Sequence, residues 1–387
     1  MSDRNALVVG AGIGGLAAAC ALASVGWQVA VYEQAKVLRE VGAGLSMAPN
    51  AVRAMEWLGL GPALRERAQG QGIGVRRRSG SWLVRLTDRD LTERYGNPMY
   101  AMHRASLHQL LLETAVGAGV RVHTGRRARS VRPDPAVTFE ETVCADLVVA
   151  ADGVHSRLRS ALFPDHPGAS YAGYVCWRGI GSVAAGSRLA RPAVWTDSWG
   201  RGVRFGSALL VDSRVFWYAS KAGPEGAYAG HTLADVMSIF DGWHEPVRAL
   251  MASSKPGTML RNDIYFLKHP LPSFVAGRVA LLGDAAHAVT PDIGQGACLA
   301  IEDAVMLAVA LSSWNDVDDA LRDYDLTRRP RTQKLARISG GSARVQQASH
   351  PVSAGLRDAV VRLMPKRAYL SAGSEALSWR PPEPARW

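Results

Sequence analysis

The sequence predicts an α/β chain in which a Rossmann-like domain is interrupted by a second domain built on a mainly antiparallel β-sheet and followed by C-terminal helices. Three observations carry that prediction. A glycine-rich turn separates an apolar strand pattern from an apolar helix pattern within the first 35 residues; strand-then-helix signals return near 120–160 and again near 277–310. Between about 170 and 275 the texture changes to tryptophan-rich, β-leaning runs with few long helical patterns.

In chain order, "NALVVG" reads as a strand, "LAAACALASVG" as a helix stopped at Gly26, and "WQVAVYE" as the next strand, a βαβ unit. "PNAVRAMEWLGL" at 49–60 reads as a helix, and "IGVRRRSGSWLVRL" at 73–86 as two strands joined around Ser79 and Gly80. "SLHQLLLETAVGAGV" restores a helix, and "VRVH" and "ADLVVAADG" restore strands. After the β-leaning stretch, which includes "RVFWYAS", "GRVALLGDAAH" returns to a buried-strand pattern and leads into an apolar helix. The Pro-rich end "RPPEPARW" predicts a loosely held tail.

Composition bounds the functional classes. At 387 residues and 48% apolar, the chain is long enough for two or three domains with a buried core. There is no basic leader and no apolar run near the roughly 20 residues of a membrane span, so a cytoplasmic chain without integral membrane contact is expected. The four cysteines (Cys20, Cys144, Cys176, Cys298) lack C-x-x-C spacing, which excludes a zinc-type motif and predicts no metal site. Net charge is +11, yet only six of the 45 basic residues are lysine and the arginines are dispersed. "RRR" at 76–78 and "GRRAR" at 125–129 lack the interleaved aromatics that single-strand stacking needs, so solvated faces or an anionic cosubstrate are expected, and no nucleic acid.

Three motifs carry chemistry. In "GAGIGG", Gly10, Gly12 and Gly15 stand in G-x-G-x-x-G register after a strand and at the start of a helix, where backbone N–H groups and the helix dipole hold a pyrophosphate. Glu33 closes the following strand, placed to accept hydrogen bonds from an adenosine ribose. This fingerprint by itself serves NAD and FAD alike. In "DGVHSRLR", Asp152 and Gly153 end an apolar strand, with Ser156 as a helix cap. In "LLGDAAHAVTPDIGQGACLAIEDA", Gly283 and Asp284 end a strand where a carboxylate can bind a sugar or ribitol hydroxyl. Pro291 stiffens the turn, and Gly294, Gln295 and Gly296 open a helix whose N–H groups suit the anionic N1/O2 edge of a reduced flavin. His287 is read as a structural hydrogen-bonding residue.

Together these motifs resemble the class A flavoprotein monooxygenases, the p-hydroxybenzoate hydroxylase-like family, and within it the salicylate hydroxylase, urate hydroxylase and zeaxanthin epoxidase-like branch. "VGAGLSMAPNAVRAMEWLGL", "MHRASLHQLL", "YAGYVCWRG" and "GLRDAVVRLMP" also read like segments of that branch, so the resemblance covers nearly the whole chain. It implies a GR2-type FAD-binding domain formed by 1–70, 101–170 and 276–335, a substrate domain formed by 71–100 and 171–275, and a C-terminal helical segment and tail over 336–387. It implies FAD contacts at Gly10, Gly12, Ile13, Gly14, Gly15, Glu33, Gln34, Ala43, Arg104, Ala128, Asp152, Gly153, Gly283, Asp284, Pro291, Gly294, Gln295 and Gly296, with Asp152 and Gly153 serving the nicotinamide cofactor as well. The implied reaction has NADPH or NADH reduce FAD, O2 add at C4a, and the resulting hydroperoxyflavin pass one oxygen atom to an aromatic or other electron-rich small molecule. A monomer or homodimer is expected. The W-x-W-x-I-P motif of flavin halogenases is absent, and no thioredoxin-like domain fits after residue 335. A flavin-dependent dehydrogenase or reductase on the same fold is the alternative, and a noncatalytic FAD-binding protein is a third reading.

No single catalytic side chain stands out, since the cofactor carries most of the chemistry. Candidates for the pocket wall are Arg204, Phe216, Tyr218 and Ser46, with Phe205, Trp217, Trp177, Arg178 and Met47 beside them. The urate-hydroxylating members carry an Arg and Tyr pair on this sheet; the chain keeps Arg204 but has Phe216 at the tyrosine position, a departure from a urate pocket.

Overall fold

Residues 4–38, 43–183 and 194–382 are described by the computed structural model. The five-residue strand Asn5–Val9, buried from Ala6 onward, is the centre of a six-stranded sheet. Gln28–Tyr32 and then Arg121–His123 lie parallel on one side; Leu147–Ala150 and Val279–Leu281 lie parallel on the other, and the short Val275–Ala276 turns antiparallel at the edge. Parallel strands buried on both faces need no polar alternation, which is why "LVV" and "VAL" read as unbroken apolar runs. Helix Ile13–Ser24 is buried almost all round because alanine, with its small side chain, lets it pass between the sheet and helix Gly296–Ser313. Gly296–Ser313 is apolar and long enough to cross a membrane by length and composition, contrary to the sequence expectation, but 72% of it is buried as the core helix of this layer.

A nine-stranded sheet forms the second layer. Its path runs Leu260–Phe266, Ser170–Ser182, Arg214–Ala222, Val203–Leu209, Val194–Trp199, Gln69–Arg77, Met99–His103 and Gly44–Met47, with Trp82–Leu86 paired to Gln69–Arg77 off the path. The hairpin expected around Ser79 and Gly80 is present. Gly44–Met47 and Met99–His103 hydrogen-bond into this sheet, so it begins directly beside the first layer. Strand register separates its two faces. Trp177, Phe205, Trp217 and Ala219 turn to one side and pack with Val236 and Leu250 of two short helices and with Phe240 just after the first, as a separate core. Their neighbours turn to the other side, toward the first layer. Helix Asp88–Tyr95, closed by a Thr87–Asp90 capping box, and the small sheet of Ser130–Arg132, Ala136–Thr138 and Thr142–Cys144 complete the layers; neither was marked in the sequence.

Three helices, Val317–Gln346, Pro351–Leu363 and Lys366–Leu377, follow. The chain is held firmly just before the Pro-rich end, at Leu377 and Trp379. Buried Arg53 on helix Pro49–Trp57 donates to the carbonyls of Tyr95, Leu377 and Trp379. The cost of burying that guanidinium is offset only when all its donors find acceptors, so three segments distant in sequence are fixed at one point. The rest of the Pro-rich tail, 383–387, lies outside the described residues.

Candidate active site

Between the two layers lies a cleft of about 1420 Å³. One end is floored by the first glycine-rich turn. Gly10 has φ +106°, and a Cβ there would stand 2.4 Å from the Ala151 carbonyl oxygen; one at Gly15 would stand 1.9 Å from the Gly10 oxygen. These two glycines therefore serve the tight turn and the close strand–helix approach. Gly12 differs: no protein atom lies within 4 Å of where its Cβ would be, and it lines the cleft as the N-cap of Ile13–Ser24 without a side-chain cap or an acidic first turn. The sequence keeps a glycine where the protein itself does not need one, and the uncapped N–H groups face that space, which suits a phosphate.

Glu33 organises this turn. Its Oε2 accepts from Ala11 N at 2.9 Å and its Oε1 from Ala35 N at 2.8 Å. Gln34 is exposed beside it, and Ala128 is buried in the first-layer core. Ala43, Arg104 and Gly153 line the cleft, with Arg104 N donating to the Ala43 carbonyl at 3.0 Å. Asp152 turns into helix Arg157–Leu162: its Oδ2 accepts from Arg157 N at 2.9 Å and Leu158 N at 3.1 Å, and Ser156 Oγ donates to its Oδ1. Ser156 caps the same helix as expected, accepting from Arg159 N at 2.9 Å. Of the expected FAD contacts, Gly10, Gly15, Glu33, Gln34, Ala128 and Asp152 are thus not cleft-lining residues, whereas Gly12, Ile13, Gly14, Ala43, Arg104, Gly153, Gly283, Asp284, Pro291, Gly294, Gln295 and Gly296 are.

The middle of the cleft is the turn Gly283 to Gly296. Gly283 has φ +60°, open only to glycine at low cost, and starts the short helix Asp284–His287. Asp284 is open to the cleft yet walled in by protein, and that desolvation holds its carboxyl above the ordinary range against the opposing charges of His287, Arg104 and Arg159. The turn is held from behind by Asp303, whose Oδ2 accepts from Gly283 N at 3.0 Å and from His287 Nε2, and whose Oδ1 accepts from Arg328 Nε at 2.7 Å. His287 therefore has the structural role expected of it. Glu302 pairs with Arg328 and Arg331, each at 2.8 Å, and Asn50 Nδ2 bridges Glu302 Oε1 at 2.7 Å to Gln295 Oε1 at 2.9 Å. Helix Gly296–Ser313 itself begins with no side-chain cap and no acidic first turn, so its leading N–H groups remain open toward the cleft. No motif marks Asp303 or Arg328 in the sequence; the one signal is the acidic pair Glu302 and Asp303 on an otherwise apolar helix.

The far wall is the inner face of the nine-stranded sheet. Arg204, Phe216 and Tyr218 face the cleft, joined by Trp195 and Arg178, and Ser46 lies opposite, its Oγ donating to the Gly294 carbonyl at 3.2 Å. Phe205, Trp217 and Trp177 are corrected: they belong to the core on the other face, and Met47 is wholly buried in the first layer. Arg204 is itself buried, with Nη1 on Asp292 and Nη2 on Asp197. Tyr174 OH donates to Asp292 at 2.6 Å and Trp199 Nε1 to Asp197 at 2.8 Å. No sequence pattern marked Asp197 or Tyr174, since their partners lie on other strands and in the Pro291–Ile293 turn. Tyr218 is held protonated, its pKa raised by burial and by Asp197 against the pull of Arg204.

Comparison with known proteins agrees with this arrangement. A family model described as FAD binding domain matches residues 3–194 and 268–339. The chain is 33% identical over 368 residues to an aurachin C monooxygenase/isomerase of Stigmatella aurantiaca, covering 92% of this chain and 94% of that protein. It is 37% identical to an FAD-dependent urate hydroxylase of Klebsiella pneumoniae subsp. pneumoniae, covering 86% and 87%. The structure of Klebsiella pneumoniae HpxO complexed with FAD and uric acid superposes with a TM-score of 0.87 at 31% identity, covering 97% of this chain and 96% of that one.

Proposed function

We infer that this chain, which belongs to the FAD binding domain family, is an FAD-dependent monooxygenase that consumes NADPH or NADH and places one atom of O2 on an aromatic or similarly electron-rich small molecule. One observation carries the reading: a single cleft runs from an open pyrophosphate-type turn, past an uncapped helix N-terminus, to a wall of aromatic side chains. FAD, when bound, supplies acceptance of reducing equivalents and activation of O2.

The chain's own residues bind, orient and exclude water. Gly12, Ile13 and Gly14 would hold the pyrophosphate, Glu33 the ribose through the lone pairs its two backbone contacts leave, and Arg104, Gly283 and Asp284 the central part. Pro291, Gly294, Gln295 and Gly296 would border the ring, with the open N–H groups at the start of Gly296–Ser313 facing its anionic edge. Trp195, Phe216 and Ile73 keep the substrate end apolar, which a hydroxylation competing with water requires. Asp152 acts on this chemistry by fixing the turn that presents Gly153 to the cleft. On this reading, 1–70, 101–170 and 276–335 are the FAD-binding domain and 71–100 with 171–275 the substrate domain, in a cytoplasmic monomer or homodimer.

The test is an NAD(P)H oxidation screen over phenols, aromatic acids, indoles and larger aromatics under 18-O2. The expected result is slow oxidation without substrate and at least about tenfold stimulation with it, about 1.4 kcal/mol in barrier, with one labelled oxygen in the product. Label arriving from water, or turnover undiminished without oxygen, would point instead to a dehydrogenase.

A further inference from the structure

The arginine that the resemblance brings forward as a substrate contact is Arg204, yet its charge is already matched. It is 4% exposed, its two terminal nitrogens meet Asp197 and Asp292, and the three groups together carry a net negative charge. A substrate anion brought there would meet two carboxylates as well as the guanidinium, an arrangement that repels more than it holds.

Arg178 offers the opposite environment on the same wall. The register sets it directly beside Tyr218 on one side and Leu260 on the other, so it shares the cleft-facing side of the sheet, and it is half-buried there. The side chains it is seen to meet are neutral: Nη1 donates to Asn262 Oδ1 at 3.3 Å, and the Cys176 thiol beside it is kept protonated by burial. The acid on the adjoining strand, Asp263, is held by both terminal nitrogens of Arg261 at 3.1 and 2.8 Å. Among the described residues, no carboxylate forms an ion pair with Arg178. A guanidinium facing a partly dry cleft, with no carboxylate paired to it among the described residues and its planar fork nearly unused, suits a planar two-oxygen anion.

We propose that Arg178 is the anion-recognising residue of the substrate pocket, receiving a carboxylate carried by the aromatic substrate, while Arg204 is a structural cation that ties the sheet to the Pro291–Ile293 turn. This rests on the aromatic monooxygenase reading above.

The experiment uses purified FAD-loaded protein and matched ligands, hydroxybenzoates against the corresponding hydroxybenzamides, with Kd read from the flavin absorption change and from tryptophan fluorescence. Wild type should bind the acid more tightly. Arg178→Ala should weaken the acid by at least about tenfold, equivalent to about 1.4 kcal/mol, leave the amide within about twofold, and keep FAD content and Tm; Arg178→Lys should recover part of the loss. Equal weakening of acid and amide, or a wild type that prefers the amide, overturns the proposal. So does a variant with an unchanged acid Kd but a raised KM for NADPH or NADH, because the arginine would then read the dinucleotide. Should wild type bind neither series and no ring stimulate NAD(P)H oxidation, the aromatic reading falls along with it; stimulation by uncharged rings alone removes only the Arg178 assignment.

Discussion

Arg204 shows how a side chain can be legible in kind and misread in role. Its position on the cleft wall follows from strand alternation, but its two carboxylate partners come from Val194–Trp199 and from the Pro291–Ile293 turn, and local sequence does not report such encounters. Arg204→Gln should cost about 3–5 kcal/mol in urea denaturation by leaving two buried carboxylates without their cation, and Asp197→Asn in the same chain should restore part of it. Asp303 gives a pH signature. Burial pushes its carboxyl up, but His287 and Arg328 outweigh burial and hold it down at about 2, against an ordinary value of 3.8. A depressed folded-state pKa means that this stabilisation is complete above the ordinary value and is lost as pH falls from 3.8 through about 2. Asp303→Asn should therefore lower Tm at neutral pH and flatten the acid limb of the stability profile over that window, as thermal melts from pH 7 to 2 would reveal.

Among elements, the parallel strands, the Ile13–Ser24 helix and the hairpin at Ser79–Gly80 were legible because each is specified by a run of its own residues: apolar periodicity, a glycine turn, a helix stop. The small sheet of 130–144 was not, as its three-residue strands are too short to show a period. The site divides the same way. Its glycine turns are readable, whereas the aromatic wall mixes cleft and core residues one position apart, so that Phe216 and Tyr218 face the cleft and Trp217 between them does not. The turn that feeds helix Gly296–Ser313 is the element most exposed to a single substitution. Gly294 has φ +64°, and a Cβ there would lie 2.6 Å from Ser46 Oγ. Gly294→Ala should pay the left-handed backbone penalty, about 1 kcal/mol, displace Ser46 and lower FAD retention on dialysis; adding Ser46→Ala should relieve the contact but not the backbone term.

At the scale of the molecule, every wall of the cleft is assembled from distant parts of the chain. The central sheet takes its strands from Asn5–Val9, Gln28–Tyr32, Arg121–His123, Leu147–Ala150 and Val279–Leu281, and the turn that completes the cleft follows only at Gly283 to Gly296. During synthesis the first glycine turn therefore emerges nearly 300 residues ahead of the helix it must pack against. Until then the nascent chain holds half a cradle, with the apolar side of Ile13–Ser24 uncovered and an open sheet edge at Leu147–Ala150. FAD cannot act as a folding template for the early chain, because the half-site present by residue 270 lacks Asp284, Gln295 and Gly296. A fragment ending there should emerge from the ribosome aggregation-prone and colourless, and supplying FAD during translation should not rescue it, whereas release of the full chain in the same extract should yield yellow soluble protein. A soluble, flavin-loaded 1–270 fragment would show that the N-terminal half-site is a folding unit of its own.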